Sequence, residues 1–404
     1  MARVVSGVDR AWLRLIVIAA ISFGLALTAP VTTINAQETN VSEQPAEAEE
    51  DSKNKEKKEK KEGKGSNFIP LPLFITEPAI GYGFGVALGY FHPRKGETGA
   101  EAESISTGTS PGQGTGKEKK RPPTISGIAA AYTDEGTWAI GVGHSASWRK
   151  DRIRYKGVLG YANINSTFYF LNLPFDFSLK GGLLYQDIRF RLGSSPFMLG
   201  PRLSYLNADG EFKRGNDAPV NFLERGVADS GLAFGAIWDT RDNTMTPDRG
   251  QFIELVAWRY DEALAGDYNY WKGEFKVLSF HQFGERIVLG LRLDVDAVDG
   301  DPPLWSYPWI SLRGIPALRY QNEVAGALET ELRWNIFTRW AVVGFVGVGA
   351  TRGDTRVYED ESGIVAGGVG GRYLYRPQDS LWVGVDVATG TEDTYAYIQV
   401  GHAW

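Results

Sequence analysis

The sequence predicts an all-β protein, a transmembrane antiparallel β-barrel of sixteen strands. Three observations lead there. The first is a strict period of two: Ile287, Leu289, Leu291, Leu293 and Val295 alternate with Gly290, Arg292, Asp294 and Asp296. Such a strand has one oily face and one charged face. The division recurs where Leu328, Thr330, Leu332, Trp334 and Ile336 alternate with Glu329, Glu331, Arg333 and Asn335, and where Leu381, Val383, Val385 and Val387 flank Asp386. The second is that nothing beyond the N-terminal leader is apolar for the roughly 20 residues a helical span requires. The longest candidate, Ala341 to Ala350, is interrupted by Gly344, Gly347 and Gly349. The third is composition: 12% aromatic residues suit interfacial girdles, and 49 glycines suit tight turns and close approach of a loop to a wall.

The N-terminal part accounts for delivery to a membrane. Arg3, Arg10 and Arg14 precede an apolar stretch from Leu15 to Ala29 and a small-residue site at Ile34-Asn35-Ala36, so residues 1–36 form a signal peptide cleaved before Gln37. Residues 37–66 form a charged tether. From 38 to 66 it holds nine acidic and seven lysine side chains and almost nothing apolar, so it cannot bury a core and is expected to be disordered. The barrel occupies 67–404, with a Gly-, Ser-, Thr- and Glu-rich insertion at 93–123, also expected to be disordered.

Strands are expected near 68–76, 79–92, 124–133, 136–148, 152–165, 175–192, 196–207 and 229–240, then 251–262, 268–282, 285–298, 325–337, 340–351, 363–376, 380–388 and 394–404. Merging some of these segments gives 12 or 14 strands as alternatives. An even number leaves both ends periplasmic. Residues 208–228 and 299–324 then form external loops, Phe283-Gly284-Glu285 a short periplasmic turn, and 93–123 a periplasmic connection of unusual length.

Several function classes are excluded. No cysteine is present, so disulfide and thiolate chemistry are absent, as suits an oxidising envelope compartment. A net charge of −6 argues against nucleic acid as a partner. Gly143-His144-Ser145-Ala146-Ser147 lacks the second glycine of a nucleophile elbow, and alternation sends His144 and Ser145 to opposite faces. Gly81-Tyr82-Gly83-Phe84-Gly85 fails the phosphate-loop pattern. His92, His144, His281 and His402 show no metal-ligand spacing. No catalytic residue, metal or cofactor is expected.

The C-terminal half carries a family resemblance. Asp239-Thr240-Arg241-Asp242-Asn243 with Pro247 and Gly250, then Leu312-Arg313-Gly314-Ile315, resemble in order the two motifs of the Omp85 superfamily, the BamA and TamA type of barrel also called bacterial surface antigen D15. Glu331-Leu332-Arg333, Gly368 to Tyr373, Asp386-Val387-Ala388 and the closing Ile398 to Trp404 are similar to the family's last strands. The resemblance implies that Leu312 to Ile315 sits at the tip of a loop that folds into the barrel from outside. Two departures stand out. The family's periplasmic POTRA domains have no room in the 37–66 tether, and Phe345-Val346-Gly347-Val348-Gly349 has Gly347 where the family carries the acid that meets the loop arginine.

A guanidinium in a lumen needs a carboxylate to offset its desolvation. Glu331 and Asp386 are the favoured partners of Arg313, with Glu329, Asp294 and Asp296 also inward by parity; a solvated loop arginine is the alternative. Asp239 to Gly250 reads as a turn, because Asp, Asn, Pro and Gly close a connection without ladder bonds. Ile398, Val400, Gly401 and Trp404 resemble the terminal-strand signal of barrel assembly, with Trp404 expected on the lipid face beside Ile398 and Val400.

The implied function is outer-membrane biogenesis, or insertion or translocation of protein or lipid, in the outer membrane of a Gram-negative cell. Implied partners are outer-membrane lipids, lipopolysaccharide, and a separate periplasmic protein in place of the POTRA domains. A passive pore or structural barrel without insertase activity is the competing reading. Pro70 and Pro72 favour a weak seam between first and last strands.

Overall fold

A computed structural model describes residues 68–92, 124–170, 173–213, 226–244, 246–355, 358–376 and 381–404. The signal peptide, the tether and the 93–123 insertion read from the sequence lie outside the described residues. The alternating segments form sixteen strands: β1 (Phe68–Glu77), β2 (Gly81–Phe91), β3 (Ile125–Thr133), β4 (Trp138–Trp148), β5 (Ile153–Phe170), β6 (Leu173–Arg191), β7 (Phe197–Lys213) and β8 (Val227–Asp239). They continue as β9 (Gly250–Tyr260), β10 (Tyr270–Phe283), β11 (Ile287–Gly300), β12 (Val324–Phe337), β13 (Trp340–Arg352), β14 (Ile364–Arg376), β15 (Leu381–Thr389) and β16 (Thr394–Val400). Every consecutive pair is antiparallel, in the order β1 to β16. This is the sixteen-strand barrel that the alternation predicts.

Most boundaries agree with the sequence reading within two residues, and the larger differences lie in β5, β7 and β16. β5, β6 and β7 run longer, so the connection expected at 208–228 shrinks to 214–226. The loop expected at 299–324 spans 301–323. β16 stops at Val400 rather than 404, because Gly401 turns the chain out of the strand at φ +86°.

The outer wall is apolar because the period of two puts it so. Leu328, Leu332, Val342, Val346, Val348, Val365, Val369, Val385 and Val387 are exposed on it. Trp148, Phe283, Phe337 and Trp340 are exposed near one rim, and Tyr82, Tyr132 and Trp271 near the other. A band of this kind with aromatic borders is what a lipid bilayer requires of a barrel. The inner wall is charged: Arg202, Arg292, Asp294, Glu329, Arg333, Arg372 and Asp386 are buried within it.

The seam is the exception to the ladder. β16 comes alongside β1, yet among the described residues no ladder joins them. Sequence explains part of this. Pro70 and Pro72 have the same parity, and the β1–β2 register runs unbroken from Phe68 opposite Tyr90 to Glu77 opposite Gly81. The two ring nitrogens therefore face away from β2, toward the seam, where they cannot donate. β16 is also short, with seven residues.

Two expectations follow. Because laddered strands hold their backbone bonds in detergent, unheated protein should migrate differently from boiled protein on gels; identical migration would contradict the barrel. In micelles, amides in the middle of β16 should exchange about tenfold faster or more than those of β11. Equal protection in the two strands would show a laddered seam.

Candidate functional site

The connection from β11 to β12, residues 301–323, fills the lumen. Pro302, Pro303, Pro308 and Pro316 keep it from continuing either strand. Its first part is aromatic: Trp305 and Trp309, with Ala317 and Leu318, pack on Leu179, Leu183, Val256 and Trp258 of the β6–β9 wall. Its second part turns to the opposite wall, where Ile310, Leu312 and Ile315 pack with Ala327, Ile364 and Ala366. The loop thus crosses the barrel.

Between these contacts Arg313 is buried among three carboxylates. Its Nε donates to Glu329 Oε1 at 2.8 Å, and Nη1 donates to Glu331 Oε2 at 2.7 Å and to Asp386 Oδ2 at 2.8 Å. Nη2 also donates to Glu329. The Phe345 ring lies 3.5 Å from the guanidinium carbon, a cation–π contact that covers its face. Burial works against this charge, but Glu329, Glu331 and Asp386 outweigh it and hold the guanidinium above its ordinary range. Of the five acids that parity turns inward, Glu329, Glu331 and Asp386 meet the arginine. Arg372 bridges behind them, donating to both oxygens of Asp386 and lying 3.7 Å from Glu331.

Gly347, which departs from the family pattern, is explained by register. It stands directly opposite Glu329 in the β12–β13 ladder. A Cβ at Gly347 would come 2.6 Å from Leu312 Cδ2 and 3.2 Å from Glu329 Cγ. The place of a β13 acid is therefore filled by the loop's own leucine, and the carboxylate comes from the neighbouring strand. Gly349 likewise receives Ile310. Gly314 adopts φ +96°, and a Cβ there would lie 2.9 Å from the Thr389 carbonyl.

The loop also touches both strands of the seam. Gly314 N donates to Tyr397 Oη of β16 at 3.0 Å, and Ala317 N donates to Glu77 Oε1 of β1 at 3.1 Å. Arg319 pairs with Glu392, and Tyr320 Oη is 2.8 Å from Thr391 Oγ1, both in the β15–β16 turn. These contacts were not legible in the sequence. Tyr397 and Glu77 carry no motif, and only the loop's trajectory makes them partners.

The Asp239 to Gly250 segment is the turn its chemistry implied. Arg241 is clamped to Asp239 with Nε to Oδ1 at 3.0 Å and lies over the Phe252 ring. Asp242 Oδ1 accepts from the amides of Asn243, Asp248 and Arg249. Pro247 is buried, and Gly250 takes φ +105° where a Cβ would strike the Thr240 carbonyl. Asp248 then pairs with Arg333 of β12, so the turn folds under the barrel.

Trp404 corrects the sequence reading. It does not lie on the lipid face with Ile398 and Val400, which are exposed. The tail after Gly401 enters the lumen, where Trp404 Nε1 donates to Glu329 Oε1 at 3.0 Å. The indole packs on Phe280 and covers Gly290, whose Cβ would come 2.8 Å from its ring. Alternation could not foresee this, because the tail is no longer a strand.

Fold and site together define a sixteen-stranded transmembrane barrel plugged by its own external loop. Solved barrels share that fold. BamA from Haemophilus ducreyi lacking POTRA domains 1–3 matches with TM-score 0.54 and 8% identity over 83% of this chain and 70% of that one. CdiB from Escherichia coli matches with TM-score 0.58 and 9% identity, covering 83% and 62%, and CdiB from Acinetobacter baumannii with 0.53 and 9%, covering 82% and 59%. The chain thus spans less than two thirds of either CdiB. At identities below 10%, the likeness to BamA and to the two CdiB proteins is one of fold. No family model and no curated protein matches the sequence.

Arg313→Ala should loosen the loop, since it leaves carboxylates in a confined space at a local cost of about 1 to 3 kcal/mol. The expected readouts are faster protease cleavage within 305–322 and noisier bilayer conductance. The Arg313→Ala, Glu329→Gln pair should be no worse than either single change; unchanged protease access in Arg313→Ala would show a solvated arginine. Gly347→Asp should not substitute for Glu329. It should loosen the loop as well, because its Cβ collides with Leu312, and a tighter loop in that variant would contradict the packing.

Proposed function

We propose that the protein is an outer-membrane barrel of the Omp85 type that serves outer-membrane biogenesis, inserting or translocating protein or lipid through a seam that its plug loop holds shut. The observation that carries this reading is the double attachment of one loop to both seam strands, at Tyr397 and at Glu77. A net ladder hydrogen bond contributes about 0.5 to 1.5 kcal/mol, and a full edge of them would resist parting. Where no ladder forms, closure rests on the loop and on side chains.

The reading includes export by the 1–36 signal peptide, residence among outer-membrane lipids and lipopolysaccharide, and a separate periplasmic protein in the role of the POTRA domains. Chemistry is not part of it: the buried charges neutralise one another and hold a loop. BamA and CdiB support the placement in an outer membrane as barrels of like fold.

The test uses cysteines in β1 and β16, Leu71→Cys with Gln399→Cys, in protein reconstituted into phospholipid vesicles. With the cysteines reduced, the barrel should speed folding of a urea-unfolded eight-stranded outer-membrane barrel, read as its heat-modifiable gel form. Oxidation should crosslink the seam and remove that acceleration, and reductant should restore it. Conductance without acceleration in the reduced protein would make it a passive pore or structural barrel instead.

A further inference from the structure

On the outer wall, beside the seam, polarity is graded in rows that follow the ladder. One row across β2 to β6 is apolar: Leu88, Ile128, Val142, Leu159 and Leu184 stand opposite one another in register. The next row toward the rim that carries the chain termini is polar: Tyr90, Ser126, His144, Gly157 and Gln186. Beyond it the β4–β5 turn presents Arg149, Lys150 and Arg152, all exposed.

The polar row is connected. Ser126 Oγ lies 2.8 Å from His92 Nε2 and 2.8 Å from His144 Nδ1, and Tyr155 Oη donates to Gln186 Oε1. Each imidazole keeps one nitrogen, Nδ1 of His92 and Nε2 of His144, without a hydrogen bond to a described residue. Rings border it continuously: Phe68 to Tyr90 at 4.8 Å, Tyr90 to His92 at 4.9 Å, His92 to His144 at 5.7 Å, His144 to Tyr155 at 5.9 Å and Trp148 to Tyr155 at 5.8 Å. Gly157 makes room for the Tyr155 hydroxyl, which a Cβ there would strike, and the surface around it is a groove of about 530 Å³ reaching from Phe68 to Gln186.

The basic turn is equally specific. Asp151 is consumed within the barrel rim by Arg154, at 2.7 Å, and by Arg191, at 2.5 Å. Arg149, Lys150 and Arg152 form no ion pair with a described residue. Arg149, Lys150 and Asp151 all take positive φ, at 51°, 60° and 65°, a run that L side chains avoid and that throws the two bases outward.

Imidazole nitrogens without a partner on a lipid-facing wall are costly against acyl chains alone. Anionic headgroups beside basic residues at a membrane interface are favourable. We propose that this groove binds one anionic glycerophospholipid of the periplasmic leaflet. Its acyl chain lies along Leu88, Ile128, Val142 and Leu159. Its phosphate and glycerol oxygens meet His92, Ser126, His144 and Tyr155, under the charges of Arg149 and Lys150. The inference rests on the outer-membrane orientation proposed above, but its binding test does not depend on insertase activity.

Native mass spectrometry of the detergent-solubilised full chain reads it directly, with dioleoylphosphatidylglycerol as probe. One adduct should saturate first, and dioleoylglycerol, which lacks the phosphate, should bind at least about tenfold more weakly, a difference of about 1.4 kcal/mol or more. Inorganic phosphate at millimolar concentration should not displace the lipid; displacement would make the site one for free phosphate and overturn the lipid assignment. Arg149→Asn with Lys150→Asn keeps residues that tolerate positive φ, and Ser126→Ala with His144→Phe removes the polar row. Each pair should lower retention about tenfold, while Trp334→Leu on the far wall should not change it. Equal retention of the two lipids by the unaltered protein, or retention unchanged in both double variants, would reduce the adduct to annular lipid.

Discussion

Arg313 must keep its charge inside a barrel, and most of the lumen follows from that. A guanidinium taken from water needs several carboxylates at hydrogen-bond distance, because burial costs more than one pair returns. Here β12 supplies Glu329 and Glu331 and β15 supplies Asp386. Those acids then need further cations. Arg372 takes Asp386, Arg292 lies 3.6 Å from Glu329 and bonds Asp294, and Lys276 lies 3.6 Å from Asp294. Arg292, Arg313, Arg372 and Lys276 thus face Asp294, Glu329, Glu331 and Asp386, so that cations and carboxylates alternate through this part of the lumen. Removing any one member leaves an uncompensated charge, so the network fixes the loop as a unit.

The seam inherits its state from that network. Closed barrels normally abolish their edges by pairing them. Here the prolines of β1 and the brevity of β16 leave the two edges side by side without a ladder. The loop amides of Gly314 and Ala317, three residues apart, reach one strand each. A loop held by the lumen charges therefore favours a closed seam, and by linkage a parted seam weakens the hold on the loop. Trp404 adds a second tie, since the tail that leaves β16 ends on the same Glu329 oxygen as Arg313.

Except at the ends of β5, β7 and β16, the strands were legible to within two residues because alternation is a two-sided record: a slip by one residue would put Arg292 and Asp294 into lipid. The same parity pointed Glu329, Glu331 and Asp386 inward. What parity could not rank was which acid would replace the one missing at Gly347, since that depends on register between strands, and only the ladder sets Glu329 across from it. Trp404 was misplaced for a related reason. Extending the period through Gly401 assumed a strand where the backbone turns at positive φ. The His92 and His144 pairing across Ser126 was hidden too, because residues far apart in sequence meet on adjoining strands.

Magnitudes decide which part of this assembly yields first. Withdrawing the loop into solvent would expose Trp305, Trp309, Leu318 and Ile310, which are at most 6% exposed, at about 1.5 to 3 kcal/mol for each large apolar side chain. It would also break the three-carboxylate contact. Parting β1 from β16 near the loop instead forfeits the hydrogen bonds at Tyr397 and Glu77, each about 0.5 to 1.5 kcal/mol net, with side-chain packing and no ladder. The lateral route is therefore the softer one. A conducting pore would need the reverse balance, a loop that lifts easily inside a wall that does not part, and the aromatic half of this loop is anchored against it.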